Sequence, residues 1–397
     1  MSAHREASAA PGHPVTPPPQ ALPLRLTEFR EERPLALGVE CEWQIVSRHD
    51  YEPTPQAGEL LRELMRERAI EGFGARATPR SLGVATGLCA DHAGVSAELA
   101  ELRDAVVVAA RRLDVGLCGG GVHPSHVAPA PPRVCAGAPS TLAQLWADEA
   151  MRIGVYGLHV HIGCAGPDQA LRLMRGLARF VPHLIALSAS SPFLEGIDSG
   201  FDSARQRALA AFPTVGGPPL LDDWESLETT AGRMAHGAVL GTLDDLHWDL
   251  CPRPDQGTLV VRVMDAPLTI DKAAALAAYV QCLARWLRIE RPFADAAPGS
   301  LADDVNRWQA ARYGLEAIHV DPASGEQRRL RDEIRASLDA LELHAMELRA
   351  DAALRQLRVD LAETGNDAGW LRQTQSRERL LAEVVRQMCV RFEGGVP

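Results

Sequence analysis

The 397-residue chain contains no run of about 18 consecutive uncharged apolar residues, the span a helix needs to cross a bilayer. Its N-terminus also lacks the apolar stretch of a secretory signal, so a cytoplasmic protein is expected rather than an embedded or exported one. No CxxC pair occurs: Cys41, Cys89, Cys118, Cys135, Cys164, Cys251, Cys282 and Cys389 are scattered singly. That spacing argues against zinc ribbons, dithiol redox chemistry and disulfide staples, and suits reduced, mostly buried thiols. Basic residues are in deficit, 41 Lys and Arg against 52 Asp and Glu, for a net charge of −11. Such a balance repels phosphate backbones and anionic lipids, which makes nucleic acid and membrane surfaces poor partners.

What remains is a chain that is 46% apolar and long enough to bury a sizeable core. Residues 1–33, rich in Pro, Ala and charge and including Pro17-Pro18-Pro19, are too poor in apolar area to offset ordering entropy and read as a flexible leader. Residues 34–397 read as a single domain with a helical C-terminal third. LALGVECEWQIV, from Leu35, alternates as a strand and ends at the polar turn Ser47 to Asp50. Residues 95–113 have helical spacing and lead into the Gly-rich segment Gly116 to Gly121. Strand 157–163, a helix over about 168–190, a long loop from Ser191 to about Asp222, strand 258–265 and helix 271–289 follow. Residues 299–393 are helical in pattern, broken at Asp321-Pro322 and Gly365-Asn366, and are expected on one side of the sheet. Strands separated by helices and long loops indicate an α/β or α+β domain around one sheet.

Three strands carry candidate chemistry. In GVECEW, Glu40 and Glu42 share one strand face while Val39, Cys41 and Trp43 take the other. Two like charges side by side repel unless a cation sits between them; the alternative is a solvated strand face. In GLHVHIG, His159 and His161 likewise share a face, bracketed by Gly157 and Gly163, and could converge on one ligand or metal or be one packed and one surface histidine. In TLVVRVMD, Arg262 is a guanidinium in an apolar strand and should meet a carboxylate or a phosphate. Arg205 and Arg207 lie in a Gly- and Ser-rich loop that suits anion binding or a surface turn.

Taken in order, GVECEW, GGGVHP, GLHVHIG, LSASSPFLEGIDSGFDSAR, HWDLCPRPDQGTLVVRVMD and VNRWQAARYGL resemble the carboxylate-amine ligase family related to type 2 glutamate-cysteine ligases, over about Leu35 to Ala368. The resemblance implies an α+β fold like the catalytic domain of glutamine synthetase, a curved, mainly antiparallel sheet with helices on its outer side. It implies ATP and Mg²⁺ as cofactors and small-molecule carboxylate and amine substrates, joined through an acyl phosphate; the oligomeric state stays open, a homo-oligomer included. Carried over by motif, Glu40, Glu42, His159 and His161 are the expected metal ligands. Arg262 and Arg205 are the expected anion-handling and catalytic residues, toward ATP phosphates or the substrate carboxylate.

Four departures bear on that expectation. Gly83 stands where the family has a glutamate, Val260 replaces the glutamate two before Arg262, and Cys251 replaces an arginine after Trp-Asp-Ile; Cys41 replaces the middle glutamate of the first strand. Each lost carboxylate weakens the hold on a hard cation. Two readings follow, a working ligase with a changed site and a catalytically impaired member acting as a binding or regulatory protein. His-x-His on a strand also occurs in zinc hydrolases, a third reading from another class.

Overall fold

The computed structural model describes residues 28–128, 149, 151–212, 214–219, 221–237, 239–292 and 301–395. Its main sheet has seven strands: β1 (Leu37–Ser47), β2 (Gly74–Thr78), β3 (Ser81–Ala85), β4 (Val115–Cys118), β5 (Gly157–Gly163), β6 (Leu250–Arg253) and β7 (Thr258–Asp265). They lie in the order β6-β7-β5-β1-β3-β2, with β4 also paired to β1, and every pairing is antiparallel. The open antiparallel sheet resolves the fold as α+β, as the resemblance implied; among the described residues it does not close into a barrel.

β1 is the central strand. Leu37, Val39, Cys41, Trp43 and Ile45 are buried in one contiguous core with Leu99, Leu102 and Val106 of the helix His92–Arg112 and Leu276 and Val280 of the helix Ile270–Glu290. Both helices start on side-chain caps: Asp91 accepts from Gly94 N at 3.1 Å and Thr269 from Lys272 N at 3.2 Å. The helical face of the sheet is therefore apolar, and the alternation of β1 turns Glu40, Glu42 and Gln44 to the other face. Among the described residues no helix is long and apolar enough to cross a membrane.

Several boundaries differ from the sequence reading for identifiable reasons. The helix expected over 168–190 divides into Pro167–Ala178 and Val181–Ser188, because Pro182 lacks the N–H of a continuing helix and serves at the start of the second. The break at Asp321 is a hairpin joining Ile318–Val320 to Gln327–Arg329. The C-terminal helices do not all lie on one side: Phe392, in Leu381–Phe392, meets Trp43 edge-on at 5.0 Å on the apolar face, whereas Leu301–Tyr313 brings Arg307 to the polar face. The leader assigned to 1–33 falls outside the described residues up to position 27. Its last residues are anchored, with Arg30 N and Glu32 N donating to Pro254 O and Cys164 O and Phe29 edge-on to Trp224 at 5.5 Å.

The long loop after Ser188 is held by one buried carboxylate. Asp265, at the end of β7, accepts from Ser190 N at 3.1 Å, Ser191 Oγ at 2.6 Å and Ser203 Oγ at 2.7 Å. Ser191 Oγ in turn accepts from Arg205 N at 3.2 Å, which sets the start of the helix Ala204–Leu209. The Gly-rich segment packs against the same group, since a Cβ on Gly121 would stand 2.5 Å from the carboxyl carbon of Asp265. Asp265→Ala strands three buried donors and should cost about 3 kcal/mol or more, read as a lower denaturation midpoint with faster proteolysis between Ser191 and Ser203. An unchanged midpoint would remove Asp265 from this role.

Candidate functional site

The polar face of β1 is arranged by strand register. Glu40 lies opposite His159 on β5 and Ala85 on β3, and Glu42 lies opposite Gly83 on β3. Gly83 in turn lies opposite Arg76 on β2, which forms a row Arg76, Gly83, Glu42 across three strands. His159 Nδ1 is 2.9 Å from Glu40 Oε2, Arg76 Nη2 donates to Glu42 Oε1 at 2.8 Å, and Arg76 Nε is 3.6 Å from Glu40 Oε1. The remaining oxygen of Glu42 accepts from Gly157 N at 2.8 Å.

Burial works against the charge on Glu40, but the hydrogen bond with His159 and the positive groups around it outweigh burial and hold its carboxyl well below the usual range. Burial also lowers the pKa of His159, assisted by Arg262, and this exceeds the opposing pull of Glu40. The pair is thus a neutral imidazole donating from Nδ1 to an ionised carboxylate. That hydrogen bond fixes the tautomer and leaves the Nε2 lone pair unprotonated.

Two guanidiniums face the same region. Arg205, buried, donates to Val263 O at 3.1 Å and Arg262 O at 3.4 Å, while its Nε has no hydrogen-bond partner. It fits because β5 opens on a glycine: a Cβ at Gly157 would lie 2.7 Å from Arg205 Nη2 and 3.2 Å from His159 Nε2. Arg262 donates to Leu246 O at 3.0 Å, and burial, then the nearby Arg253, pushes its pKa down to about 10. Neither arginine forms an ion pair with a carboxylate among the described residues, and Arg262, expected to meet a carboxylate or a phosphate, meets only a carbonyl oxygen there.

Glu42, His159, Arg205 and Arg262 line a cavity of about 460 Å³. Six arginines (Arg76, Arg80, Arg152, Arg205, Arg262 and Arg307) and two carboxylates (Glu42 and Asp249) border it. Both acids are already engaged, Glu42 by Arg76 and Asp249 by Arg307 through contacts of 2.8 and 2.9 Å. The cavity is built to receive negative charge.

Of the residues singled out in the sequence, Glu42, His159, Arg205 and Arg262 converge here, and Glu40 stands behind them, bonded to His159 and outside the lining. His161 sits further along β5, 3.3 Å from Thr258 Oγ1 and opposite Val260, outside the cavity lining. Arg207 lies near the Phe201 ring, 5.7 Å from its centroid. The sequence reading missed Arg76, Asp249, Arg307, Gln206 and Asp265. For Asp249, Asp265 and Arg307 a signal existed, since all three fall in quoted motifs.

The four expected metal ligands do not fit a hard divalent cation as they stand. Among the described residues no group of three or more His, Cys, Asp or Glu side chains is placed to hold a metal ion. Glu40 and Glu42 are bridged by a guanidinium, and the expected third and fourth carboxylates are Gly83 and Val260. Cys251, opposite Val260 in the β6–β7 pairing, is buried and supplies no charge of the arginine it replaces.

Comparison with known proteins gives a consistent result. Residues 36–387 match the family model described as glutamate-cysteine ligase family 2. The chain is 48% identical to a protein of Leptothrix cholodnii over 94% of this chain and 99% of that one, and 40% identical to one of Polaromonas naphthalenivorans over 94% and 98%. Both relatives carry the name "Putative glutamate–cysteine ligase 2". Among solved structures, the glutamate–cysteine ligase of Francisella tularensis in complex with AMP aligns with a TM-score of 0.62 at 11% identity, over 90% of this chain and 88% of that one, a likeness of fold.

Burial leaves His161 and His247 with pKa values of about 4, and His123 and His183 of about 3, against 6.5 for a free imidazole. Below that ordinary value the unfolded chain binds protons that the native chain refuses, so native stability falls as pH falls. Glu40 acts in the same direction at lower pH, because its depressed folded pKa withholds a proton the unfolded carboxyl accepts. Denaturation midpoints should therefore be highest above about pH 6.5 and drop toward pH 4, with His161→Gln removing up to about 1.4 kcal/mol per pH unit from the slope. A midpoint independent of pH across that window would contradict the buried neutral imidazoles.

Proposed function

The chain belongs to glutamate-cysteine ligase family 2, and on that premise we propose that its polar sheet face joins a small carboxylate to an amine at the expense of ATP. The γ-phosphoryl group passes to a carboxylate oxygen and ADP leaves; the amine then attacks the acyl carbon, phosphate departs with the electron pair of the broken C–O bond, and the nitrogen loses a proton. The observation that carries this reading is the pair of guanidiniums, Arg205 buried and Arg262 half-buried, that line one cavity with no carboxylate in ion-pair contact among the described residues. A buried cation of this kind is costly alone and is offset by an anionic ligand, a phosphate or the substrate carboxylate. AMP in the Francisella ligase supports nucleotide use on this fold.

In this scheme Arg262 and Arg205 hold charge that develops on the transferring phosphoryl group and the acyl phosphate, the task of a preorganised clamp. His159, held neutral and oriented by Glu40, offers Nε2 to the proton released by the amine. Glutamate and cysteine, named in the relatives, are the first acid and amine to try. Seven cysteines without disulfide partners among the described residues suit a reducing, cytoplasmic setting.

The purified protein should release ADP from ATP only when an acid and an amine are both present. Arg262→Ala should reduce that turnover by about 10²- to 10³-fold with unchanged circular dichroism. ATP binding with no acid-plus-amine-dependent release would assign the site a binding or regulatory role instead.

A further inference from the structure

The Glu40–Glu42 pair poses an electrostatic problem that the structure solves within the chain. Two glutamates on one strand face need positive charge between or beside them, and the nearest source is Arg76 from two strands away. It reaches them because the residue between is glycine. A Cβ built on Gly83 would stand 3.0 Å from both Cγ and Nε of Arg76, so the arginine stem packs directly over the glycine. Its guanidinium then contacts Glu42 at 2.8 Å and Glu40 at 3.6 Å. The far oxygens of the two carboxylates are taken by Gly157 N and His159. With glycine at 83 the arginine stem lies flat across β3 and its guanidinium reaches both carboxylates; a side chain at 83 would push the stem aside.

We infer that Arg76 is the resident counter-cation of Glu40 and Glu42, standing where a divalent metal would be recruited, so that the cavity binds its anionic ligand without a divalent metal. Guanidinium keeps its charge at every accessible pH, and its planar fork satisfies carboxylate oxygens with directed hydrogen bonds. A divalent ion would have to displace it, and would meet two carboxylates whose far oxygens are already bonded to Gly157 N and His159. The positive charge that a metal brings to a polyphosphate is supplied instead by the arginines around the cavity. The identity of the anion as ATP rests on the reading given above; the exclusion of metal by Arg76 does not.

The test uses the full chain, the variant Arg76→Gln, and the double variant Arg76→Gln with Gly83→Glu. Arg76 is more than half exposed (54%), so its replacement leaves the core intact. In calorimetric titration with MnCl₂, the wild type should take up no metal at the site, and the double variant, with three carboxylates, should bind about one ion per chain. Stoichiometric Mn²⁺ uptake by the wild type overturns the inference, as does refusal of Mn²⁺ by both folded variants. In parallel, wild-type affinity for ATP should agree within about threefold between EDTA and Mg²⁺ buffers, whereas the double variant should bind about tenfold more tightly with Mg²⁺. Loss of wild-type ATP binding by about tenfold or more in EDTA also overturns it. If ATP binds in neither buffer, the nucleotide reading fails and the Mn²⁺ titration alone decides the role of Arg76.

Discussion

Pairing on both edges of β1 holds the register that every other feature of the site uses. β3 runs along one edge, while β5 and β4 share the other, so β1 cannot slide without breaking three ladders. A shift of one residue would turn Glu40 and Glu42 into the apolar core and carry Trp43 and Ile45 out of it. The cost of that exchange makes the placement of two carboxylates opposite His159 and Gly83 a by-product of hydrophobic burial. The chemistry is positioned by residues on the far side of the sheet that never touch it.

A second layer of control runs through buried polar groups. Asp265 gathers three donors from the loop that follows Ser188, and the helix start it fixes delivers Arg205 beneath β5. Arg307, from the C-terminal third, is tied to Asp249 and to Gln206 Oε1 at 2.7 Å, which joins three distant stretches of chain at the cavity rim. Arg205 and Arg262 are conspicuous against this background. Asp249, Arg253 and Asp367 each have an opposite charge within 4 Å, whereas these two donate only to carbonyl oxygens.

The strands bearing GVECEW, GLHVHIG and TLVVRVMD were legible because alternation, paired polar residues and bracketing glycines survive in a linear reading. What β1, β5 and β7 do together was also within reach, as their motifs are long and ordered. Arg76 was not. It lies on a short strand whose residues are mostly exposed, and nothing local distinguishes it from a solvated surface arginine. Its importance comes from register across two ladders and from the absence of a side chain at Gly83, a fact about a neighbour. The sequence did show the vacancy at Gly83, read as a lost ligand; only the pairing of strands reveals what moved into the space. The failed continuation at Pro182 was missed for a simpler reason, that helical periodicity resumes on both sides of it; the break at Asp321 was read, but not the short hairpin built around it.

The arginine-lined cavity sits in a molecule whose net charge is −11. Beyond a screening distance of about 8 Å at physiological salt, an approaching anion meets the repulsive field of the whole protein, and only inside that distance does the local positive charge dominate. Encounter and capture thus respond to ionic strength with opposite sign. Added salt lowers the barrier to arrival while loosening the grip on what has arrived, and the residence time of an anionic ligand, more than its rate of entry, records the work of the arginines.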